Sequence, residues 1–382
     1  MNRIIKYFFL IIILINILVF LSGKTWIYKA ISITYLKGFN TAYIHDFPYF
    51  HSNIIDNGES QEWLISKNYN EKPLPNFIKK INSNLETVSF LVIKSDSIIF
   101  EQYWYGYSAD TVSNSFSMAK SLVSTLIGIA LKENKISSLD QTVCEFIPKF
   151  CINKNTNVTI RNLLTQSSGL DWNEDYHNPI GQTAEAYYGA NLKRLVLNLK
   201  SIEPAGKIFR YHSSSTQLLA FILEEATGQT ISEYASQKLW MKIGARNQAY
   251  WSKDSEGGDE KAFCCIYSNA RDFARLGKLY LNNGIWNGVR IIDDEYVYEA
   301  TNAANLIDKK GNKNINYGYQ FWITNYKNMD IFYAKGFSGQ YMICIPEKDM
   351  IIVRLGRKSG TQLENGNNKD FYNFIDAALS II

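Results

Sequence analysis

Two residues one helical turn apart carry the clearest chemistry in the chain. Ser117 and Lys120, within Ser115-Phe116-Ser117-Met118-Ala119-Lys120, stand at i and i+3, which places both side chains on one face of a helix. At about 100° per residue, Ser117, Lys120, Ser121, Ser124 and Gly128 form a narrow polar stripe. Leu122, Val123, Leu126, Ile127 and Ile129 cover most of the remaining surface. A helix this apolar is buried, and a lysine buried without a partner is costly. Burial would bring its pKa down from about 10.4 toward neutrality and make it a base for the Ser117 proton. The helix N-terminus would favour negative charge developing there. The plainer reading is a lysine that snorkels from a core helix whose first turn carries a serine.

Other chemistry has less support. Gly336-Phe337-Ser338-Gly339-Gln340 approaches a nucleophile elbow, but that motif needs glycine where Gln340 stands. A pairing of Ser338 with His212 would also need a parallel-sheet pattern that is absent. The four histidines, His45, His51, His177 and His212, contain no HExxH pair, and no CxxC accompanies them. No metal and no cofactor is therefore expected. Five cysteines are too few for a disulfide scaffold. Cys144 and Cys151 could pair across a short loop, whereas the adjacent Cys264 and Cys265 rarely close without strain. Free buried thiols serve equally well for all five.

The elements that must hold Ser117 and Lys120 follow from patterning. Residues 24–75 lack periodicity and read as an irregular wrapping segment. Thr87 to Trp104 reads as a hairpin turning at Lys94-Ser95-Asp96-Ser97. A long helix follows at about 117–132, with shorter helical patterns at about 159–164 and 192–200. Thr216 to Ala226 is helical and stops at Gly228; Thr230 with Glu233 has the spacing of a capping box. Ala270 to Leu281 is another amphipathic helix. Strands follow at Gly318–Thr324, Ile331–Phe337, Gln340–Ile345 and Met350–Leu355, and Phe371 to Ile381 closes as a helix. This order implies an α+β fold: one antiparallel sheet formed by both ends of the chain and flanked by helices, with a mainly helical region inserted.

Composition agrees with a folded chain. The 382 residues are 46% hydrophobic and 20% charged, whereas disorder couples low hydrophobicity to high net charge. The 40 Lys plus Arg against 36 Asp plus Glu leave +4 without a long basic run, so no nucleic-acid partner is expected. Phe8 to Leu21 is apolar except for Asn16 and follows Arg3 and Lys6, the pattern of an export segment. Phe20-Leu21-Ser22-Gly23 is a poor cleavage site, and Ile4 to Leu21 approaches the roughly 20 apolar residues of a membrane span. A signal-anchor through residues 4–21 is therefore favoured over a cleaved signal peptide. Either way the remainder is expected outside the cytoplasm: membrane-anchored, or secreted or periplasmic. The chain divides into 1–22, a wrapping segment 23–80, and a catalytic domain 81–382.

Further segments recur in a familiar order. They are Leu139-Asp140 through Ile147-Pro148, Thr159-Ile160-Arg161-Asn162-Leu163-Leu164-Thr165-Gln166-Ser167-Ser168-Gly169-Leu170, and Phe209-Arg210-Tyr211-His212-Ser213. Leu218-Leu219 to Thr227-Gly228-Gln229, Ala270-Arg271-Asp272-Phe273-Ala274-Arg275-Leu276-Gly277 and Gly336-Phe337-Ser338-Gly339-Gln340 complete them. With Ser117-Met118-Ala119-Lys120, the chain resembles the serine β-lactamase and penicillin-binding-protein superfamily over roughly residues 85–380. The nearer likeness is to the class C-like branch of esterases, D-amino-acid peptidases and 6-aminohexanoate-oligomer hydrolases.

The resemblance implies a β-lactamase/transpeptidase-like fold and assigns roles. Ser117 matches the acylated nucleophile and Lys120 its helical partner. Tyr211 matches the second motif, usually Tyr-x-Asn, whose phenol beside a cationic lysine would lose its proton below its usual pKa of about 10 and shuttle protons. Ser213 stands where that motif has Asn to contact a substrate amide. Gly336 and Phe337 match the third motif, where the N–H groups of Phe337 and Ser117 would form an oxyanion hole. Penicillin-recognising members carry Lys or His two residues before this Gly; that position is Ala334, and Lys335 falls on the opposite strand face. Tyr176 matches a tyrosine that contacts the substrate amide in the oligomer hydrolases. The resulting expectation is a serine hydrolase that cleaves a small-molecule ester, amide or peptide through a Ser117 acyl-enzyme. The alternatives are a penicillin-binding peptidase or β-lactamase acting on cell-wall peptides or β-lactams, and a non-catalytic ligand-binding protein on the same fold.

Overall fold

The apolar N-terminal run folds as helix α1 (Arg3–Leu21), 19 residues with no buried side chain, long and apolar enough by length and composition to cross a membrane. The computed structural model describes residues 3–153 and 155–382, so Met1 and Asn2 of the expected export segment lie outside the described residues. Only Ser22 to Thr25 separate α1 from α2 (Trp26–Ile33), which turns Trp26, Ala30 and Ile33 into the core at helical spacing.

The segment expected to be irregular therefore carries structure. Besides α2 it contributes β1 (Ser52–Ile55) and β2 (Leu64–Ile65), and α3 (Asn76–Asn84) follows. Strands of four and two residues are too short to display alternation, which is why the pattern hid them.

The expected hairpin forms from β3 (Thr87–Lys94) and β4 (Ser97–Tyr103). Ser95 and Asp96 both adopt positive φ, 47° and 61°, as a two-residue turn matched to strand twist requires. Next come β5 (Ser113–Asn114), α4 (Ala119–Lys132), α5 (Ser213–Thr227), β6 (Ala249–Ser252), β7 (Ile266–Ser268) and α6 (Ala270–Leu281). The chain ends with β8 (Trp322–Tyr326), β9 (Met329–Gly336), β10 (Gln340–Ile345), β11 (Met350–Gly356) and α7 (Lys369–Ile381).

Seven strands form the main sheet in the order β8-β9-β10-β11-β3-β4-β2, antiparallel throughout except for β2 beside β4. The β11–β3 pairing, with Val353 opposite Leu91, joins strands from the two ends of the chain. Leu91 and Val353 face the large helical core containing Leu122 and Phe273. Val92 and Ile352 face the other way, onto Ile78 of α3 and Phe371 and Phe374 of α7. With both faces covered, β3 reads as a continuous apolar run. The α+β architecture with a helical insertion is the one expected.

Four features differ from expectation. A second sheet, β1-β6-β7-β5, lies on the large core side, built from strands of two to four residues. Ser117 sits in a 3₁₀ turn, Phe116–Met118, ahead of α4 rather than inside it. Helix α5 begins at Ser213, and β8 at Trp322 instead of Gly318. Cys144 pairs with Cys151, and Cys264 is joined to Cys265 as well, where Cys265 takes a φ of 73°; Cys344 alone is free and buried. The Thr230–Glu233 capping box forms, after Gly228 ends α5 with a φ of 70°.

Candidate active site

The turn that carries Ser117 is built under constraint. Phe116 has a φ of 45°, a conformation that costs a bulky residue about 1–3 kcal/mol unless its surroundings impose it. Its N–H donates to Asn114 Oδ1 at 2.9 Å, and its ring meets Phe337 edge-on, with 5.6 Å between centroids. The next residue, Ser117, is half-buried where this turn feeds α4.

One turn on, Lys120 is 1% exposed. Its Nζ donates to Phe263 O at 2.7 Å, Ser117 Oγ at 3.0 Å and Ser213 Oγ at 3.2 Å. An ammonium has three protons, so all are used. Burial lowers the Lys120 pKa to about 8, with the Glu174 carboxylate acting in the opposite direction. The snorkelling alternative is therefore not what the fold adopts. The polar stripe below is engaged too: Ser121 donates to Gln320 O at 2.7 Å, and Ser124 shares a hydrogen bond with the Tyr296 hydroxyl at 2.9 Å. Gly128 is required because a Cβ there would lie 2.8 Å from the Tyr296 ring.

Tyr211 reaches the same point from the residue pair before α5. Its ring centroid is 5.1 Å from Lys120 Nζ, and the ring packs against Trp322 at 5.4 Å and Tyr317 at 6.0 Å, which are themselves 4.9 Å apart. The phenol pKa is not depressed, as the lysine neighbour suggested, but raised. Burial is the main cause and Glu174 the second, with a contact to the Ser117 hydroxyl working the other way. The resting Tyr211 keeps its proton, and Lys120 is the group that can be neutral near physiological pH.

Glu174 is the residue that sequence reasoning missed. Its carboxylate accepts from Trp172 Nε1 and Tyr176 Oη, both at 2.5 Å, and from Ser213 N at 2.7 Å and Ser213 Oγ at 2.6 Å. It lies at the first turn of α5, where a negative charge meets free N–H groups and the positive end of the helix. The only sequence signal was an acid flanked two residues away on each side by aromatic donors, Trp172 and Tyr176. Ser213 thus bridges Lys120 and Glu174, and its hydroxyl is committed to this chain rather than held ready for a substrate amide.

The third motif closes the site. Gly336 ends β9 opposite Gln340, and a Cβ on it would lie 2.2 Å from Ser115 O, so the strand end abuts the Ser117 turn only because this residue is glycine. Phe337 and Tyr176 are partly exposed at the mouth, 38% and 51%, with ring centroids 5.9 Å apart. Ala334 is buried against the α4 side of the sheet among Met118, Ala119, Leu122 and Met342. Lys335 points to the other face and donates to Gly366 O at 2.8 Å. Its Nζ also lies 5.7 Å from the centroid of the Trp322 ring, which packs on Tyr211. His212 is buried, its pKa lowered to about 4 chiefly by desolvation, and its backbone N–H donates to Gln166 Oε1 at 2.7 Å. Among the described residues no cluster of His, Cys, Asp and Glu could hold a metal.

The chain is similar to known proteins. The family described as Beta-lactamase matches residues 74–372. A 6-aminohexanoate-dimer hydrolase of Paenarthrobacter ureafaciens is 27% identical over 286 residues, covering 70% of this chain and 72% of its own. A solved structure from Bacillus anthracis, provisionally named a 6-aminohexanoate-dimer hydrolase, superposes with a TM-score of 0.75 at 24% identity, covering 89% of this chain and 92% of that one. A family VIII carboxylesterase superposes with a TM-score of 0.64 at 15% identity, covering 86% and 100%. The two structures speak to the fold.

Proposed function

The chain belongs to the beta-lactamase family and is a serine hydrolase of that fold, and from this premise we propose that it cleaves an uncharged ester or amide through a Ser117 acyl-enzyme. The observation that carries the reading is the buried Lys120 Nζ, 3.0 Å from Ser117 Oγ with its pKa lowered to about 8. In the neutral amine the hydrogen bond reverses: Ser117 Oγ donates, and Lys120 takes the proton as Oγ bonds to the substrate carbonyl carbon. The N–H groups of Ser117 and Phe337 hold the oxyanion. Tyr211, which keeps its proton at rest, gives it to the departing alcohol or amine and is reprotonated from Lys120. The C–O or C–N bond breaks, and water then attacks the acyl carbon as neutral Lys120 takes its proton. The Ser117 Oγ–acyl bond breaks, Oγ regains the proton from Lys120, and the acid leaves.

With Ala334 where penicillin-recognising members carry the cation, and Lys335 donating to Gly366 O from the other strand face, an uncharged acyl group is favoured over a β-lactam carboxylate. The 6-aminohexanoate-dimer hydrolase and carboxylesterase relatives support amide and ester substrates. We take residues 81–382 as the hydrolase domain and α1 as a signal-anchor holding it outside the cytoplasm.

Intact-mass measurement after fluorophosphonate treatment tests the reading. One adduct, lost in Ser117→Ala, together with turnover of short p-nitrophenyl esters, is expected. No adduct and no ester hydrolysis would sink it. Ready acylation of Ser117 by benzylpenicillin would favour the peptidase alternative.

A further inference from the structure

The wrapping segment has no role in this mechanism, yet one of its residues is tied to the nucleophile turn. Asp46 is 1% exposed. Its Oδ1 accepts the hydroxyl of Tyr267 at 2.5 Å and its Oδ2 that of Tyr187 at 2.6 Å. Both phenol oxygens in turn accept from one amide: Asn114 Nδ2 lies 3.0 Å from Tyr267 and 3.2 Å from Tyr187. Asn114 Oδ1 then accepts the Phe116 N–H at 2.9 Å, immediately before Ser117. All members are buried and come from four separate stretches of chain.

Every donor in this chain has one direction, and the carboxylate sets it. An ionised carboxylate only accepts, so both phenols must donate to Asp46 and can offer Asn114 nothing but lone pairs. Asn114 must therefore present its NH₂ to the tyrosines and its oxygen to Phe116. That orientation is the one able to hold the left-handed φ of 45° at Phe116. Burial raises the Asp46 pKa, and the hydrogen bonds from Tyr187 and Tyr267, the Lys261 charge and the Tyr43 backbone act the other way. Burial also lowers the pKa of Lys261, whose Nζ is 3.5 Å from the Phe50 ring centroid and 5.1 Å from that of Tyr187.

We propose that Asp46 is a positioning residue for Ser117, acting through Tyr187, Tyr267, Asn114 and the Phe116 amide. The inference rests on the reading of Ser117 as nucleophile. Asp46→Asn keeps size and shape but turns one acceptor into a donor, so one phenol must reverse and Asn114 loses its defined orientation.

The test uses the full-length chain in detergent, following the rate of Ser117 acylation by a fluorophosphonate and the kcat and KM for a p-nitrophenyl ester. Asp46→Asn is expected to lower the acylation rate and kcat about 10- to 100-fold, as sub-ångström misplacement of a nucleophile does, with KM changed less than about two-fold. Asn114→Ala should do the same, and the double variant should lose no more than the worse single one, because both act along one chain. Tyr267→Phe, which removes a single oxygen, is the milder second variant and should lower kcat in the same sense with thermal unfolding near wild type. Wild-type acylation rates in Asp46→Asn and Tyr267→Phe, or losses that multiply in the double variant, would overturn the inference. A wild-type chain that takes no label would instead overturn the hydrolase reading and this inference with it.

Discussion

Ser213 gives both its backbone N–H and its hydroxyl to the carboxylate of Glu174, at 2.7 and 2.6 Å. Through the same hydroxyl it accepts a hydrogen bond from Lys120. The negative charge of Glu174 therefore stands one residue behind Lys120 and favours its charged form. Removing that charge lets the Lys120 pKa fall further. Glu174→Gln should move the acidic limb of the kcat/KM–pH profile to lower pH, and kcat should fall about 10- to 100-fold as Ser213 loses an acceptor. A limb that stays in place, or moves up, would contradict this electrostatic role.

With a Lys120 pKa of about 8, the neutral base is the minor form at neutral pH, and acylation should rise with pH through that value. The same burial opposes folding. An unfolded lysine titrates near 10.5 and the folded one near 8, so between these values the unfolded chain binds more protons and stability rises with pH. At neutral pH, Lys120→Met should be inactive yet more stable by about 1–3 kcal/mol, because a costly buried charge has gone. Urea unfolding of both proteins at neutral and alkaline pH measures the difference, which should shrink at the higher pH.

Tyr211→Phe keeps the ring packed against Trp322 and Tyr317 and removes only the phenol proton. Its kcat should drop about 10²- to 10⁴-fold with KM nearly unchanged. The loss should be smallest for esters with the most acidic leaving alcohols, which need least protonation. Equal losses across a leaving-group series would argue that Tyr211 only shapes the cleft.

Gly336→Ala would set a Cβ 2.2 Å from Ser115 O, forcing β9 away from the nucleophile turn. Misaligning one oxyanion donor costs about 10²- to 10³-fold in kcat, and the steric shift should lower stability by about 1–3 kcal/mol. Ester kinetics and a thermal melt report the two separately.

Local relationships were the legible ones. Ser117 and Lys120 are three residues apart, so helical geometry alone brings them together. The β3–β4 hairpin closes through two residues, and the Thr230–Glu233 cap through three. Tyr211 and Gly336 were visible only through likeness to a family, since their partners lie far along the chain. Glu174 meets Ser213 from 39 positions away on a loop without periodicity, and nothing in that loop's composition tells a tethering acid from a solvated one. The Tyr211 phenol was misjudged for a related reason: a motif names the charged neighbour but does not give the burial that outweighs it. The second sheet was hidden because its strands, two to four residues long, hold at most two repeats of the strand alternation.

Only Ser22 to Thr25 join α1 to a helix that is itself packed into the core. Fully extended, four such residues reach about 14 Å. Were α1 held in a bilayer as the proposed signal-anchor, the hydrolase would have no leash: it could not sweep the space beyond the membrane as an enzyme on a long flexible stalk does. Its working volume would then be a thin shell over the lipid, and the supply of substrate would be set by arrival at that surface and by lateral drift within it.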